Sequence, residues 1–194
     1  GSSFSPVDMG PPGGLTQFGV ELVKECGRLG MLVDVSHLNE RGFWDVAERV
    51  DGPFIASHSN ASALMPTQRN LSDEQIREIV ARRGYIGINA MNFLVAPEGA
   101  EESISALADH IDHIVDLGGG ACVGFGFDFN DQILKYIPEE ELKLVPRQCR
   151  DVLHGHGEIP LLLEELRRRG YREEQIDGIR GGNFMRVLHD TLDA

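Results

Sequence analysis

The stretch MLVDVSH at residues 31–37 is a short apolar run that ends in polar residues, and it introduces a pattern that recurs along the chain. FIASHSN at residues 54–60 has the same form, and further apolar runs occupy residues 85–88 and 121–125. Each run is followed by a segment with helical spacing. Because predicted strands alternate with predicted helices, we expect an α/β fold with a parallel sheet and right-handed crossovers.

Capping residues and apolar spacing locate the predicted helices. Thr16 is the expected cap of the first helix. The apolar residues of this helix that recur at helical spacing are Phe18, Leu22, Cys26 and Leu29. A capping box formed by Ser72 and Gln75 is expected to open another. The remaining predicted helices cover residues 39–50, 104–115, 160–169 and 183–192.

The number of strand–helix units limits the architecture. A closed (β/α)8 barrel of the TIM type has eight such units, typically in about 250 residues. This chain has 194 residues and only the four predicted βα units described above. Four units can form either a small open sheet or half of a barrel, and the residue pattern leaves both alternatives open.

Composition excludes several classes of protein. The 18 Lys and Arg residues against 31 Asp and Glu residues give a net charge of −13, which argues against nucleic acid as a partner. No apolar run reaches the roughly 20 residues that a membrane-spanning segment requires. The 3 cysteines are not closely spaced, which excludes a disulfide framework and favours a reducing compartment. We therefore expect a cytoplasmic protein.

The first 14 residues differ from the rest of the chain. They are rich in proline, glycine and serine, show no apolar period, and begin like the remnant of a purification tag. We expect residues 1–14 to be a flexible segment and residues 15–194 to form the folded domain.

Three polar residues follow predicted strands and are candidates for chemistry: His37, His58 and Asp128. In a parallel α/β protein the carboxyl ends of the strands share one face, where ligands bind. Neutral imidazole is a good zinc ligand, and carboxylates complete such sites. A histidine after a strand is also often a hydrogen-bonded structural residue, so both interpretations remain open. Asp34, within the first strand, either orients a neighbouring ligand or accepts backbone hydrogen bonds.

The other histidines favour structural interpretations. His110 and His113 lie one helical turn apart in the middle of a predicted helix, where we expect structural hydrogen bonds rather than metal ligation. His154 and His156 are expected in a solvated loop, and His189 on the surface of the last helix.

Several segments resemble the renal (membrane) dipeptidase family of zinc metallopeptidases. The segments are LVDVSH at 32–37, SHS at 57–59, RNL at 69–71, DHIDHI at 109–114, VGFGFDF at 123–129 and GGNFMRV at 181–187. The similarity extends over residues 15–192, and the order and spacing of the motifs make it specific. The resemblance implies a (β/α) barrel with a two-zinc site at its carboxyl-terminal face, in an enzyme that cleaves dipeptides.

The resemblance also implies roles for four residues. His37 and His58 match the two histidines that bind the second zinc. Arg69 matches the arginine that holds the substrate carboxylate, a task that suits the bidentate fork of a guanidinium. Asp128 matches the acidic residue that contacts the substrate amine and assists proton transfer to the leaving amine.

The chain departs from the family pattern in three respects. The His-x-Asp pair and the bridging glutamate that complete the two-zinc site, together with a further histidine, are absent, so the chain matches the second, carboxyl-terminal half of the barrel. The family motif Asp-Phe-Asp-Gly is replaced by DFND at residues 128–131, and Met91 stands where the family has a tyrosine that helps to bind the substrate carboxylate.

The resemblance therefore predicts a zinc-dependent dipeptidase of which this chain carries the second-zinc histidines and the substrate-contact residues. We expect it to pair with another copy of itself or with a complementary half-barrel, because four units leave two open sheet edges. One alternative is a non-catalytic half-barrel module that needs a complementary chain. The other is a related metal-dependent hydrolase acting on a different amide.

Overall fold

The computed structural model of the protein describes residues 13–97, 103–143 and 149–192. Of the amino-terminal segment that we expected to be flexible, residues 1–12 lie outside the described residues. In the described part, no helix has both the length and the apolar character needed to cross a membrane.

Short strands alternate with helices along the described chain. The strands are β1 (Ile55–Ala56), β2 (Tyr85–Ile88) and β3 (Val123–Phe125). The helices are α1 (Gln17–Arg28), α2 (Glu40–Ala47), α3 (Asp73–Ala81), α4 (Asn92–Val95), α5 (Ile104–Asp116), α6 (Asp131–Leu134), α7 (Glu139–Leu142), α8 (Ile159–Arg168), α9 (Glu173–Asp177) and α10 (Asn183–Leu192).

The predicted helix caps are confirmed. The side chain of Thr16 accepts a hydrogen bond from the backbone N–H of Gly19, and Asn39 caps α2 in the same way. Ser72 and Gln75 form the reciprocal capping box at the start of α3. These side chains satisfy N–H groups that have no partner within their own helix.

The three strands form one parallel sheet in the order β1-β2-β3. A fourth segment lies beside β1, where the N–H of Val35 donates to the carbonyl of Ile55 at 2.8 Å and the N–H of Ile55 donates to Val33 at 3.0 Å. This segment forms only a single parallel bridge, at Asp34, so the strand predicted at residues 31–35 is shorter than expected. The reason is local: Oδ1 of Asp34 accepts the N–H of Ser36 at 3.0 Å, which turns the chain away from the sheet.

Two helices cover one face of the sheet and form the main core. Ile76 and Ile79 of α3, with Ile111 and Ile114 of α5, are fully buried in the same cluster as the β2 residue Ile86. Burying each such aliphatic side chain contributes about 1.5–3 kcal/mol. This packing explains the helical apolar spacing that the sequence shows.

Helix α10 covers the amino-terminal ends of the strands. The guanidinium of Arg186 donates to the carbonyls of Arg83, Gly84 and Ala121, which lie one or two residues before β2 and β3, at 2.7–3.0 Å. Val187, also on α10, is fully buried. The candidate functional residues lie at the opposite, carboxyl-terminal ends of the strands.

Helix α1 forms as predicted but does not bury its apolar stripe. Val23 is its only buried residue among those described, whereas Phe18 is 73% exposed, Leu22 52% and Leu29 55%. The sequence therefore predicted the helix correctly without predicting which of its faces packs.

Candidate functional site

The carboxyl ends of the strands bring the predicted site residues together. His37 follows the segment beside β1, His58 follows β1, and Asp128 follows β3. The ring centroids of His37 and His58 are 5.0 Å apart. Arg69, from the loop between β1 and α3, is 4% exposed, and its Nη2 donates to Nε2 of His37 at 3.2 Å.

A hydrogen-bond chain orients the ring of His58. The hydroxyl of Ser57 donates to Oδ2 of Asp34 at 2.5 Å and lies 2.7 Å from Nδ1 of His58. Because Ser57 gives its only hydrogen to Asp34, Nδ1 of His58 must donate to the hydroxyl. This tautomer leaves a lone pair on Nε2, the form in which imidazole binds a metal. Asp34 thus contacts His58 through Ser57, and it also accepts the backbone N–H groups of Ser36 and Ser57, as one of the two expectations required.

The surroundings of His58 favour its neutral form. Burial is the largest effect and lowers the pKa of His58 below its ordinary value. The positive charge of Arg69 and the nearby ring of His37 also lower this pKa, while the carboxylates of Asp128 and Asp34 act in the opposite direction.

Two glycines allow the segment that carries His58 to pack against the sheet. A Cβ atom at Gly87 would lie 2.0 Å from the carbonyl oxygen of Ser57, and one at Gly126 would lie 1.8 Å from the same oxygen. The N–H of Ser59 donates to the carbonyl of Gly87 at 2.7 Å, which fixes the segment there. Only residues without a Cβ permit this close approach.

Two of the predicted site residues adopt a backbone conformation that is uncommon for side-chain-bearing residues. His37 has φ of 66° and Asp128 has φ of 54°. Non-glycine residues in this region concentrate at functional sites, where the surrounding structure holds them in place.

Both charged substrate-contact candidates line one cavity of about 270 Å³. Arg69 and Asp128 contribute opposite charges to it, and His37 also lines it. The apolar part of the lining comes from Met91, Phe93 and Leu94. Met91 therefore lies at the site. It occupies the position at which the dipeptidase family resembled by this sequence has a tyrosine.

The donor set fits part of a zinc site. His58 presents Nε2, and the neighbouring His37 supplies a second imidazole, whose Nε2 would exchange its hydrogen bond from Arg69 for the metal. Zinc sites in proteins take three or four protein ligands. Within residues 13–97, 103–143 and 149–192, no group of three or more His, Cys, Asp or Glu side chains is placed to hold a metal ion. The described residues thus offer two imidazoles that fit the histidine portion of a metal centre.

The structural interpretation of His110 and His113 is confirmed. His110 is fully buried; its Nδ1 accepts the N–H of Ala61 at 3.1 Å and its Nε2 lies 2.9 Å from the carbonyl of Val95. His113 pairs with Asp73 at 2.8 Å.

The remaining histidines are also largely as expected. His189 is exposed on α10, as predicted. His154 is exposed but is less isolated than a solvated loop implies, because its Nδ1 lies 2.8 Å from Oδ2 of Asp131 and this contact raises the pKa of His154.

Sequence reasoning missed Asn89, which directly follows β2. Its Nδ2 donates to Oδ2 of Asp128 at 3.3 Å, and the residue is fully buried. A signal was present, since Asn89 is the polar residue after a predicted strand, just as His58 and Asp128 are. The roles of Ser57, Gly87 and Gly126 depend on three-dimensional approach and had no comparable signal.

Comparisons with known proteins identify relatives of this chain. A family model described as membrane dipeptidase, peptidase family M19, matches residues 2–194. A protein encoded in the pqqA 5′ region of Klebsiella pneumoniae, itself uncharacterized, is 36% identical over 98% of this chain and 65% of its own length. An uncharacterized dipeptidase of Schizosaccharomyces pombe is 33% identical over 93% of this chain and 41% of its own length. The chain thus spans less than two thirds of these curated relatives.

Solved structures show a similar fold. A family M19 metallopeptidase described as dipeptidase AC superimposes with a TM-score of 0.79 at 32% identity, covering 97% of this chain and 52% of its own. A metallopeptidase from Rhodobacter sphaeroides, bound to a phosphinate mimic of the dipeptide L-Ala-D-Ala, gives a TM-score of 0.75 at 34% identity, with 96% and 50% covered. The α/β fold is therefore of the TIM-barrel-like type found in these peptidases.

Proposed function

Because this chain belongs to the membrane dipeptidase family, peptidase family M19, we propose that the protein hydrolyses dipeptides with the help of zinc. The observation that carries the proposal is the convergence of His37, His58, Arg69 and Asp128 at the carboxyl ends of the parallel strands. Two imidazoles, one cation and one carboxylate at a single place match the needs of a metal-assisted cleavage of a small zwitterion.

In this proposal His37 and His58 hold one zinc ion through neutral imidazole nitrogens. The Asp34–Ser57 pair keeps Nε2 of His58 available, and burial of the ring favours its unprotonated form. When bound, zinc would supply Lewis acidity that polarises the scissile carbonyl and activates water. The other ligands would come from parts of a barrel beyond the residues described here.

Arg69 and Asp128 would bind the two ends of the substrate. A dipeptide carries a carboxylate at one end and an ammonium group at the other, and these residues place the complementary charges on one cavity. Arg69 can grip the carboxylate through two parallel N–H bonds. Asp128 would pair with the free ammonium group of the substrate. The same carboxylate would take a proton from the attacking water and pass it to the amine that leaves from the other residue, which needs one to depart.

We further propose that residues 15–194 form the second half of a (β/α)8 barrel. Two observations support this: the parallel strands are consecutive, and the chain covers 50–52% of two related structures. The predicted pairing with a complementary half-barrel or with a second copy stays a prediction. Light scattering of the isolated chain at micromolar concentration tests it, and a monodisperse monomer that unfolds cooperatively would contradict it.

The alternative of a non-catalytic half-barrel has one observation in its favour, since only two metal ligands come together in the described part of the chain. We accordingly expect the isolated chain to bind zinc weakly and to hydrolyse dipeptides poorly. Robust chelator-sensitive activity of the isolated chain would show that its site is complete.

The deciding experiment measures hydrolysis of L-Ala-D-Ala in the presence of zinc. It uses the intact protein, by which we mean this chain together with the remainder of its barrel. N-acetylated and C-amidated versions of the same dipeptide serve as matched controls, because each lacks one of the two charges that Asp128 and Arg69 would bind. We expect rapid, chelator-sensitive cleavage of the free dipeptide and a loss of at least tenfold in kcat/KM when either end is blocked. Equal cleavage of all three compounds, or none, would contradict the proposal.

A further inference from the structure

A set of buried asparagines lies beside the candidate site. Asn60 and Asn89 are fully buried and Asn70 is 6% exposed. Amide side chains in such positions require hydrogen-bond partners, because an unpaired buried polar group is costly. Their partners show how the loops of the site are held.

The side-chain amide of Asn60 both accepts from and donates to the backbone of Asn89. The side-chain oxygen of Asn60 accepts the backbone N–H of Asn89 at 2.9 Å, and its Nδ2 donates to the carbonyl of Asn89 at 3.0 Å. This pair joins the loop that follows β1 to the loop that follows β2. Two bonds between the same two residues fix both distance and orientation.

Asn70 extends the connection to the loop that carries Arg69. Its Oδ1 accepts the backbone N–H of Asn60 at 3.3 Å, and its Nδ2 donates to the carbonyl of Leu94 at 2.9 Å. That carbonyl also accepts from Asn60 at 3.1 Å. Because Arg69 precedes Asn70 in the chain, the backbone of Arg69 is fixed relative to the same connection.

The other end of the connection reaches Asp128. Oδ1 of Asn89 accepts the N–H of Met91 at 2.8 Å, which closes a turn and fixes the amide. Nδ2 of Asn89 then points to the carboxylate of Asp128, with 3.3 Å between Nδ2 and Oδ2. A continuous series of hydrogen bonds thus runs from the residue beside Arg69 to the carboxylate of Asp128; it is buried between Asn70, Asn60 and Asn89 and part-buried where it reaches the exposed Asp128.

We propose that Asn89 is a positioning residue that holds the carboxylate of Asp128 at a fixed separation from Arg69. This assignment rests on the proposed function, in which Arg69 binds the carboxylate of the substrate and Asp128 binds its amine. A fixed separation between these two groups selects substrates by length. This series of hydrogen bonds therefore makes the site specific for α-dipeptides over analogues whose amine lies one carbon further from the scissile bond.

The test compares two substrates in the intact, zinc-loaded protein: L-Ala-D-Ala and its β-alanyl analogue, β-Ala-D-Ala. Asn89→Ser keeps a hydroxyl that can accept the N–H of Met91 but is too short to reach Asp128. We expect this variant to lose about tenfold to a hundredfold in kcat/KM for L-Ala-D-Ala, the size of effect seen when a hydrogen bond to a charged group is removed. We also expect at least a threefold fall in its preference for L-Ala-D-Ala over the β-alanyl analogue. Asn89→Ala, where it folds, should show the same loss in kcat/KM and the same fall in substrate preference as Asn89→Ser.

Asn183→Ala is the matched control. Asn183 is also buried, at 9% exposure, and donates to the carbonyls of Gly120 and Val123, at the far end of β3. This control should lower Tm without changing the ratio of the two substrates. Wild-type kcat/KM in Asn89→Ser, or an equal loss on both substrates, would overturn the positioning role. Wild-type protein that cleaves neither substrate would instead refute the proposed function, and this assignment with it.

Discussion

The hydroxyl of Ser57 donates to Oδ2 of Asp34 at 2.5 Å, across two neighbouring parallel segments of the sheet. This contact decides which nitrogen of the adjacent His58 carries the hydrogen. An acceptor fixed on one side of an imidazole leaves the other nitrogen free to bind a metal, an arrangement that commonly accompanies histidine ligands.

We expect Asp34→Ala to weaken zinc binding by the intact protein about tenfold to a hundredfold, the range seen when such supporting groups are removed. The physical reason is that Ser57 loses its acceptor and can then donate to His58, which favours the wrong tautomer. Competition with a coloured chelator measures the affinity. Asp73→Ala is a suitable control, because Asp73 pairs with His113 away from the site. Equal zinc affinity in the Asp34 variant and the wild type would contradict the role of this contact.

The proposed carboxylate-binding role of Arg69 should be separable from metal binding. Arg69→Lys keeps the charge but loses the planar fork, so kcat/KM for dipeptides should fall by roughly tenfold to a hundredfold, or about 1.5–3 kcal/mol. His58→Ala should instead abolish zinc occupancy at the site to which it contributes. Metal analysis and kinetics on both variants of the intact protein distinguish the two lesions. If Arg69→Lys lost zinc as readily as His58→Ala, the carboxylate assignment would have to be abandoned.

Gly126→Ala should disturb the site through packing alone. The added Cβ would lie 1.8 Å from the carbonyl oxygen of Ser57, so the segment carrying His58 must move. Overpacking of this kind costs about 1–3 kcal/mol of folding stability, measurable by urea unfolding. Gly27→Ala is the control, since nothing lies within 4 Å of the added atom within α1 and alanine favours a helix. The prediction is wrong if both variants change stability by the same amount and in the same direction.

Local signals in the sequence predicted the elements better than their packing. The caps at Thr16 and Ser72 are formed by side chains on their own backbone, so they could be identified from neighbouring residues alone. The strand at residues 31–35 was overestimated because Asp34 binds the N–H of Ser36 and ends the pairing early. The exposed stripe of α1 shows the same limit, since spacing specifies a helical face but not what covers it.

The site was predictable to the extent that chemistry follows strand ends. His37, His58 and Asp128 were identified in this way, and Arg69 from the family resemblance; the structure places all four around one region. Asn89 follows the same rule and was overlooked because an amide suggests no reaction by itself. Its importance depends on contacts with residues 29 and 39 positions away in the chain, which no local pattern reveals.

The free energy of unfolding should depend on pH through the titration of Asp151, which lies beside the loop of Asp128. Asp151 is 1% exposed, and its Oδ2 accepts the N–H of Asp131 at 2.8 Å. Burial, assisted by the charges of Asp131 and Asp128, raises its pKa from 3.8 to about 6. Because the folded state then holds this proton more tightly than the unfolded state, the group destabilises the ionised folded protein above about pH 6. That cost disappears as the pH falls towards 4.

Asp151→Asn keeps an acceptor for Asp131 without the charge, so it should stabilise the protein at pH 8 and have a much smaller effect at pH 4.5. Urea unfolding at both pH values measures this difference, with the exposed Asp116→Asn as control. A stability difference between Asp151→Asn and the wild type that is the same at both pH values would show that Asp151 does not titrate in this range.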